Sequence, residues 1–122
     1  MSRLTGAQMK YLLAVYRSQK DDNGVRSVDI AQELGVSKTS VHKMARLLTN
    51  LGFVSKKDRG RIKLTREGKN EVRVMQEKYT QIYAFFADYL ALDEAEALDS
   101  TYSFLCGFSE KCVSKLMEKL LV

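Results

Sequence analysis

The sequence predicts a mainly α protein: an N-terminal winged helix-turn-helix with a small β-hairpin wing, followed by a helical dimerisation domain. Three observations lead there. Between Ser27 and Leu48, apolar residues recur at helical spacing on either side of a single glycine, Gly35. Two short apolar-and-basic runs then flank Asp58-Arg59-Gly60, a hairpin signal. From Thr65 onward the helical period returns, and proline is absent from the whole chain.

Thr5 is placed to cap a first helix reaching about Arg17, with Met9, Leu12, Leu13 and Tyr16 as its apolar stripe. The cluster Lys20-Asp21-Asp22-Asn23-Gly24 ends it. Ser27 is expected to cap a second helix whose inward face is Val28, Ile30, Ala31 and Leu34, and Gly35 supplies a left-handed stop. Ser37 is the cap expected for a third helix, with Val41, Met44, Ala45 and Leu48 turned inward and Asn50 and Gly52 closing it. In the wing, Phe53 to Lys57 and Arg61 to Leu64 are strand-like, with Val54, Ile62 and Leu64 facing the core.

Thr65 should begin a long helix reaching about Leu90, aromatic in its later part at Tyr79, Tyr83, Phe85, Phe86 and Tyr89. So much apolar surface on one helix calls for cover. Asp93 and Ser109 can cap two more helices, the first ending near Phe104 or Cys106. Val113, Leu116, Met117, Leu120 and Leu121 form the stripe of the last. The expected organisation is a DNA-binding domain over residues 1–64 and a dimerising helical domain over 65–122, its linking helix spanning 65–90.

At 122 residues and 45% hydrophobic content the chain can bury a core but is short for two independent domains. There is no apolar run of membrane-spanning length and no secretory pattern at the N-terminus, so a cytoplasmic protein with no membrane partner is expected. Cys106 and Cys112 stand without a CxxC pair and are expected as reduced core thiols. No paired catalytic carboxylates, phosphate-cradling glycine loop, HExxH or Ser/His/Asp set occurs, so no enzyme is predicted.

Charge locates the function. The net +5 divides into +8 over residues 1–64, from 13 Lys and Arg against 5 Asp and Glu, and −3 over residues 65–122. Ser37 to Leu64 alone holds 8 Lys and Arg and one Asp, a concentration expected of a phosphate-binding surface. The outward side of the third helix would carry Lys38, Thr39, His42, Lys43 and Arg46, cations and hydrogen-bonding groups with no carboxylate. Base edges need polar groups on a reading helix, and phosphates need cations beside it. The expected contacts are Lys38, Thr39, His42 and Lys43 on base edges or flanking phosphates, Ser37, Ser40 and Arg46 on phosphates, and Lys57, Arg59 and Arg61 on the wing. A homodimer would present this surface to two half-sites of a double-stranded DNA operator.

These residues resemble a known family, the iron- and manganese-dependent transcriptional repressors related to the diphtheria toxin repressor and the manganese transport regulator. The likeness rests on Leu4-Thr5 with Tyr11 and Tyr16, on Val28-Asp29-Ile30-Ala31 with Leu34-Gly35-Val36-Ser37, on Ser40-Val41, and on Gly60, Leu64-Thr65 and Glu67-Gly68. It implies a cytoplasmic, homodimeric transcriptional repressor of the short form. It also implies a metal site, and there this sequence departs. The family's ligand positions read Lys10, Leu13, Tyr79, Tyr102, Leu105 and Cys106, and its accessory positions read Tyr83 and Leu98.

Iron or manganese takes carboxylate, imidazole or carbonyl ligands, with an occasional sulfur, which a leucine or an ammonium cannot replace. No cofactor is therefore predicted. The leading expectation is a regulator freed from metal, which binds DNA constitutively or answers another signal; a Lys10 ammonium mimicking the ion's charge is a separate hypothesis. Two alternatives remain. One is a Mn- or Fe-responsive repressor with a changed ligand set of Cys106 joined by Glu77, Asp99 or Glu110. The other is a protein-interaction adaptor that does not bind DNA, which salt-sensitive duplex binding would separate from the rest.

Overall fold

The computed structural model describes residues 4–19 and 22–120, without the side chains of Asp58 and Cys106. The described chain is a winged helix-turn-helix followed by helices, in two compact units. One comprises Ala7–Arg73; the other holds residues 4–6 and the helices from residue 74 onward.

In the first unit, α1 (Gly6–Ser18), α2 (Ser27–Leu34) and α3 (Lys38–Asn50) precede an antiparallel hairpin of β1 (Val54–Lys56) and β2 (Ile62–Leu64). The strand register pairs Val54 with Leu64, Ser55 with Lys63 and Lys56 with Ile62. Val54, Ile62 and Leu64 are buried as the alternation predicts. A single 3-10 turn, Asp58–Gly60, joins the strands, with Arg59 and Gly60 both at positive φ, 64° and 72°.

Val25 adds a rung that the sequence does not announce. Its N–H donates to the Ile62 carbonyl at 2.7 Å, and the Ile62 N–H donates back at 2.8 Å. This pairing keeps the chain extended through Arg26, and so corrects the expected cap of α2. Arg26, not Ser27, is the N-cap residue, its carbonyl accepting from the Asp29 N–H at 3.0 Å. Ser27 is simply the first helical residue. The Arg26 guanidinium meets both Asp29 carboxylate oxygens, at 3.1 and 3.2 Å, and this hydrogen-bonded charge pair raises the Arg26 pKa.

The buried face of α1 also differs from the predicted stripe. Tyr11 to Val15 are all buried, with Leu12 and Val15 at its centre, while Met9 is half-buried and Tyr16 is 46% exposed. Five consecutive buried residues mean that α1 is enclosed on several sides rather than packed on one, and Tyr16 emerges where the enclosure ends.

α4 (Arg66–Ala84) opens at Thr65, whose hydroxyl accepts from the Gly68 N–H at 3.0 Å and donates to the Gly52 carbonyl at 2.6 Å. Gly68 sits so close to Phe53 that a Cβ there would collide with the Phe53 carbonyl oxygen. Thr65 and Gly68 together fix the exit of the wing.

In the second unit the helix does not run to Leu90 as one α-helix. It passes at Ala84 into a π-helical segment, Phe85–Tyr89, where the Leu90 N–H reaches back to the Phe85 carbonyl at 3.1 Å and the Phe85 and Tyr89 rings stack at 5.4 Å. α5 (Glu94–Gly107) and α6 (Glu110–Leu120) follow. Their predicted caps are present: Asp93 accepts from the Glu96 N–H at 2.9 Å and Ser109 from the Cys112 N–H at 3.1 Å. Ile82, Ala97, Thr101, Tyr102 and Val113 are buried here, and Thr101 satisfies its hydroxyl on the Ala97 carbonyl.

Cys112 is exposed, which corrects its assignment to the core: α6 turns the neighbouring Val113 inward instead. The side chain of Cys106 and the whole of Leu121 lie outside the described residues. Among the described residues no helix is long and apolar enough to cross a membrane.

Candidate nucleic-acid interface

The placement of α3 begins at Gly35, whose φ of 66° lets the chain leave α2 and turn within two residues. The Gly35 and Val36 N–H groups close the end of α2 on the Gln32 and Ala31 carbonyls. Ser37 then caps α3, its hydroxyl oxygen accepting from the Ser40 N–H at 3.0 Å and its proton going to the Ser40 Oγ, also at 3.0 Å. Because the Ser37 proton is spent inside the cap, Ser40 keeps the hydroxyl that can donate outward.

Val41, Ala45 and Leu48 are buried and Met44 is half-buried, so the inward face is the one predicted. Lys38, Thr39, His42, Lys43 and Arg46 are all exposed. Among the described residues none of these five has an ion-pair partner. A stable helix thus holds five polar side chains against solvent, with no carboxylate paired to them among the described residues.

The hairpin adds cations unevenly. Lys56, Lys57 and Arg59 are exposed at and beside the tip, where the Lys57 N–H donates to the Arg61 carbonyl at 2.6 Å. Arg61 is half-buried and its guanidinium reaches the Gly24 carbonyl at 3.5 Å, while the Lys63 ammonium stands 3.5 Å from the Asp22 carboxylate. Arg61 therefore helps hold the wing onto the segment before α2, and Lys56, Lys57 and Arg59 stay exposed. Sequence reasoning passed over a further cationic face on α4, where Arg66, Lys69 and Arg73 line a shallow concavity of about 540 Å³ with Glu67 and Asn70. Their spacing of three and four residues was the available signal.

At the described side chains among the positions that the resemblance gives to metal ligands, packing or a cation takes the place. Leu13 is buried and Lys10 is half-buried in the first unit. In the second, the Tyr79 ring stacks on Tyr83 and leans on Tyr102, both centroid separations being 5.6 Å, and Tyr102 and Leu105 are buried. Among the described residues no three His, Cys, Asp or Glu side chains come together as a metal site. The lysine and the two leucines at these positions, Lys10, Leu13 and Leu105, are not ligands for manganese or iron.

Residues 3–61 match the family model of the iron dependent repressor, N-terminal DNA binding domain. An uncharacterised HTH-type transcriptional regulator of Methanocaldococcus jannaschii is 28% identical over 113 residues, covering 89% of this chain and 90% of that one. A hypothetical protein of Sulfolobus solfataricus has the same fold at 22% identity, with a TM-score of 0.71 over 96% of this chain and 89% of its own. The metal-dependent transcriptional regulator MtsR superposes with a TM-score of 0.79 at 19% identity over 96% of this chain, which spans only 54% of that protein.

Proposed function

We propose, from a chain whose residues 3–61 match the model of the iron dependent repressor N-terminal DNA binding domain, that it is a sequence-specific transcriptional regulator, a repressor acting by occupying its operator. The observation that carries this reading is the uncompensated polar face of α3 beside the cationic tip of the hairpin. Inserted in a major groove, α3 brings Lys38, Thr39, His42 and Lys43 to base edges or flanking phosphates. Ser40 at its start meets a phosphate and Arg46 further along a phosphate or a base edge, and Lys57 and Arg59 follow the backbone beside it, while the Ser37 hydroxyl stays in the helix cap and Arg61 on the Gly24 carbonyl.

The protein acts as a homodimer on two half-sites. Support comes from apolar surface in the second unit: Tyr89 is 79% exposed and Phe108 50%, and an open hollow of about 480 Å³ is lined by Gln81, Ala84, Phe85, Asp88, Tyr89 and Leu120. DNA binding needs neither manganese nor iron, because five of the six family ligand positions hold lysine, leucine or tyrosine.

Fluorescence anisotropy of labelled duplex DNA against the full-length protein tests this. The logarithm of affinity should fall linearly with the logarithm of salt concentration, Lys43→Ala and Arg46→Ala should each weaken binding, and EDTA should leave it unchanged. Absence of duplex binding, or binding indifferent to salt, would favour an adaptor. Stoichiometric Mn(II) or Fe(II) binding that tightens DNA binding would overturn the metal-free part.

A further inference from the structure

The reading face of α3 is almost entirely a donor surface. Lys38, Lys43 and Arg46 can only donate, the hydroxyl of Thr39 can do either, and His42 alone can present a ring nitrogen as acceptor. No carboxylate or carboxamide stands among them. Asn50, the one carboxamide on α3, lies at its last turn, about 18 Å along the axis from the N-terminal end that enters a groove.

The major groove distinguishes bases by the same chemistry. Guanine offers two adjacent acceptors, N7 and O6. Adenine offers one acceptor beside a donor, cytosine a donor, and thymine an acceptor beside a methyl group. A face dominated by donors is best satisfied by guanine, whereas adenine and cytosine set an amino group against its lysines and arginine and leave both without an acceptor. The side chains that would favour adenine, Asn and Gln, and those that would favour cytosine, Asp and Glu, are the ones missing from this face.

We infer that the half-site read by α3 is built around adjacent guanines, recognised through N7 and O6 by Lys43 with Lys38 and Arg46 on either side. Lys43 and Arg46 stand three residues apart, about 4.5 Å along the helix axis. That is close to the step of about 3.4 Å between neighbouring nucleotides of one strand, so the two cations can serve consecutive guanines, with Arg46 on a base edge rather than on a phosphate. Thr39, one turn before Lys43, adds a methyl group suited to a flanking thymine. The inference rests on the proposal that this chain reads duplex DNA, and adds which bases it reads.

Selection of bound duplexes from a random library with the full-length protein, followed by replacement of each selected guanine with 7-deazaguanine, is the test. The substitution removes the N7 acceptor and leaves base pairing intact. At least two adjacent guanines per half-site should be selected, and deaza substitution at either should weaken binding about tenfold. In Lys43→Ala one of these losses should vanish. Salt-sensitive binding to half-sites of A·T pairs, or affinity unchanged by deaza substitution, would overturn the inference and leave DNA binding standing. No binding to any duplex would overturn both.

Discussion

Tyr11 is only 9% exposed on α1, and burial pushes its phenol pKa above the ordinary value, because ionisation there would place a charge against apolar neighbours. Below about pH 10 the phenol is protonated in both folded and unfolded chains, and its burial favours folding in full. As pH rises past that value the unfolded chain ionises first, so stability falls until the folded value has also been passed. Tyr11→Phe should therefore lose less stability between about pH 8 and about pH 10.5 than the parent, read as the difference in thermal midpoints. At Ser37 the cap makes a different prediction. Ser37→Ala should cost about 1 kcal/mol in denaturant unfolding and Ser37→Gly only a few tenths, because glycine adopts the cap geometry and leaves its amides open to water.

Among the elements, α4 carries the sharpest steric test. A glycine inside a helix is ordinarily worse than alanine by about 1 kcal/mol, so Gly68→Ala would stabilise an isolated helix. Here the added methyl would collide with the Phe53 carbonyl oxygen, and backbone cannot swing aside as a side chain can. The variant should be destabilised by about 2–3 kcal/mol, so the sign of the change in unfolding free energy decides the matter. The junction after the π-helical segment predicts the opposite sign. Ala91 sits at φ 55°, where an L side chain costs about 1–2 kcal/mol, and glycine removes that cost while adding freedom to the unfolded chain. Ala91→Gly should stabilise by about 0.5 kcal/mol in the same measurement.

For the molecule as a whole, the division of charge and apolar surface along the chain assigns different work to its two parts. The cations gathered before residue 65 suit a polyanion, while the net negative remainder carries Tyr89 and Phe108 against solvent. If that remainder pairs two copies, a carboxylate at Tyr89 should separate them without unfolding either, since the side chain is already mostly exposed. Tyr89→Asp should sediment as a monomer, and its affinity for a two-half-site duplex should drop about a hundredfold through loss of avidity alone. A folded variant that remained dimeric would move the interface elsewhere.

The helices, the wing and the five outward residues of α3 were legible because their signals are local. The period of Val41, Ala45 and Leu48, the caps Ser37, Asp93 and Ser109 and the turn at Gly60 each involve residues a few positions apart. The errors lie where distant segments meet. Tyr16 was placed inside and Tyr11 left out of the stripe, because one stripe is all that periodicity shows, while α1 is enclosed on several sides. Ser27 lost the cap to Arg26 because Val25 pairs with Ile62, a rung no pattern near Val25 reveals.

By itself, then, the sequence determined the order of elements, the outward face of α3 and the concentration of cations before residue 65, since backbone preference, helical period and charge are properties of neighbouring residues. Only the tertiary structure decided which cations stay outward. Arg61 is drawn to the carbonyl of Gly24, 37 positions away, and Lys63 to Asp22, while Gly68 is fixed beneath Phe53. Those outcomes depend on which remote groups folding brings within a few ångströms, and side chains compete for partners only once they are there.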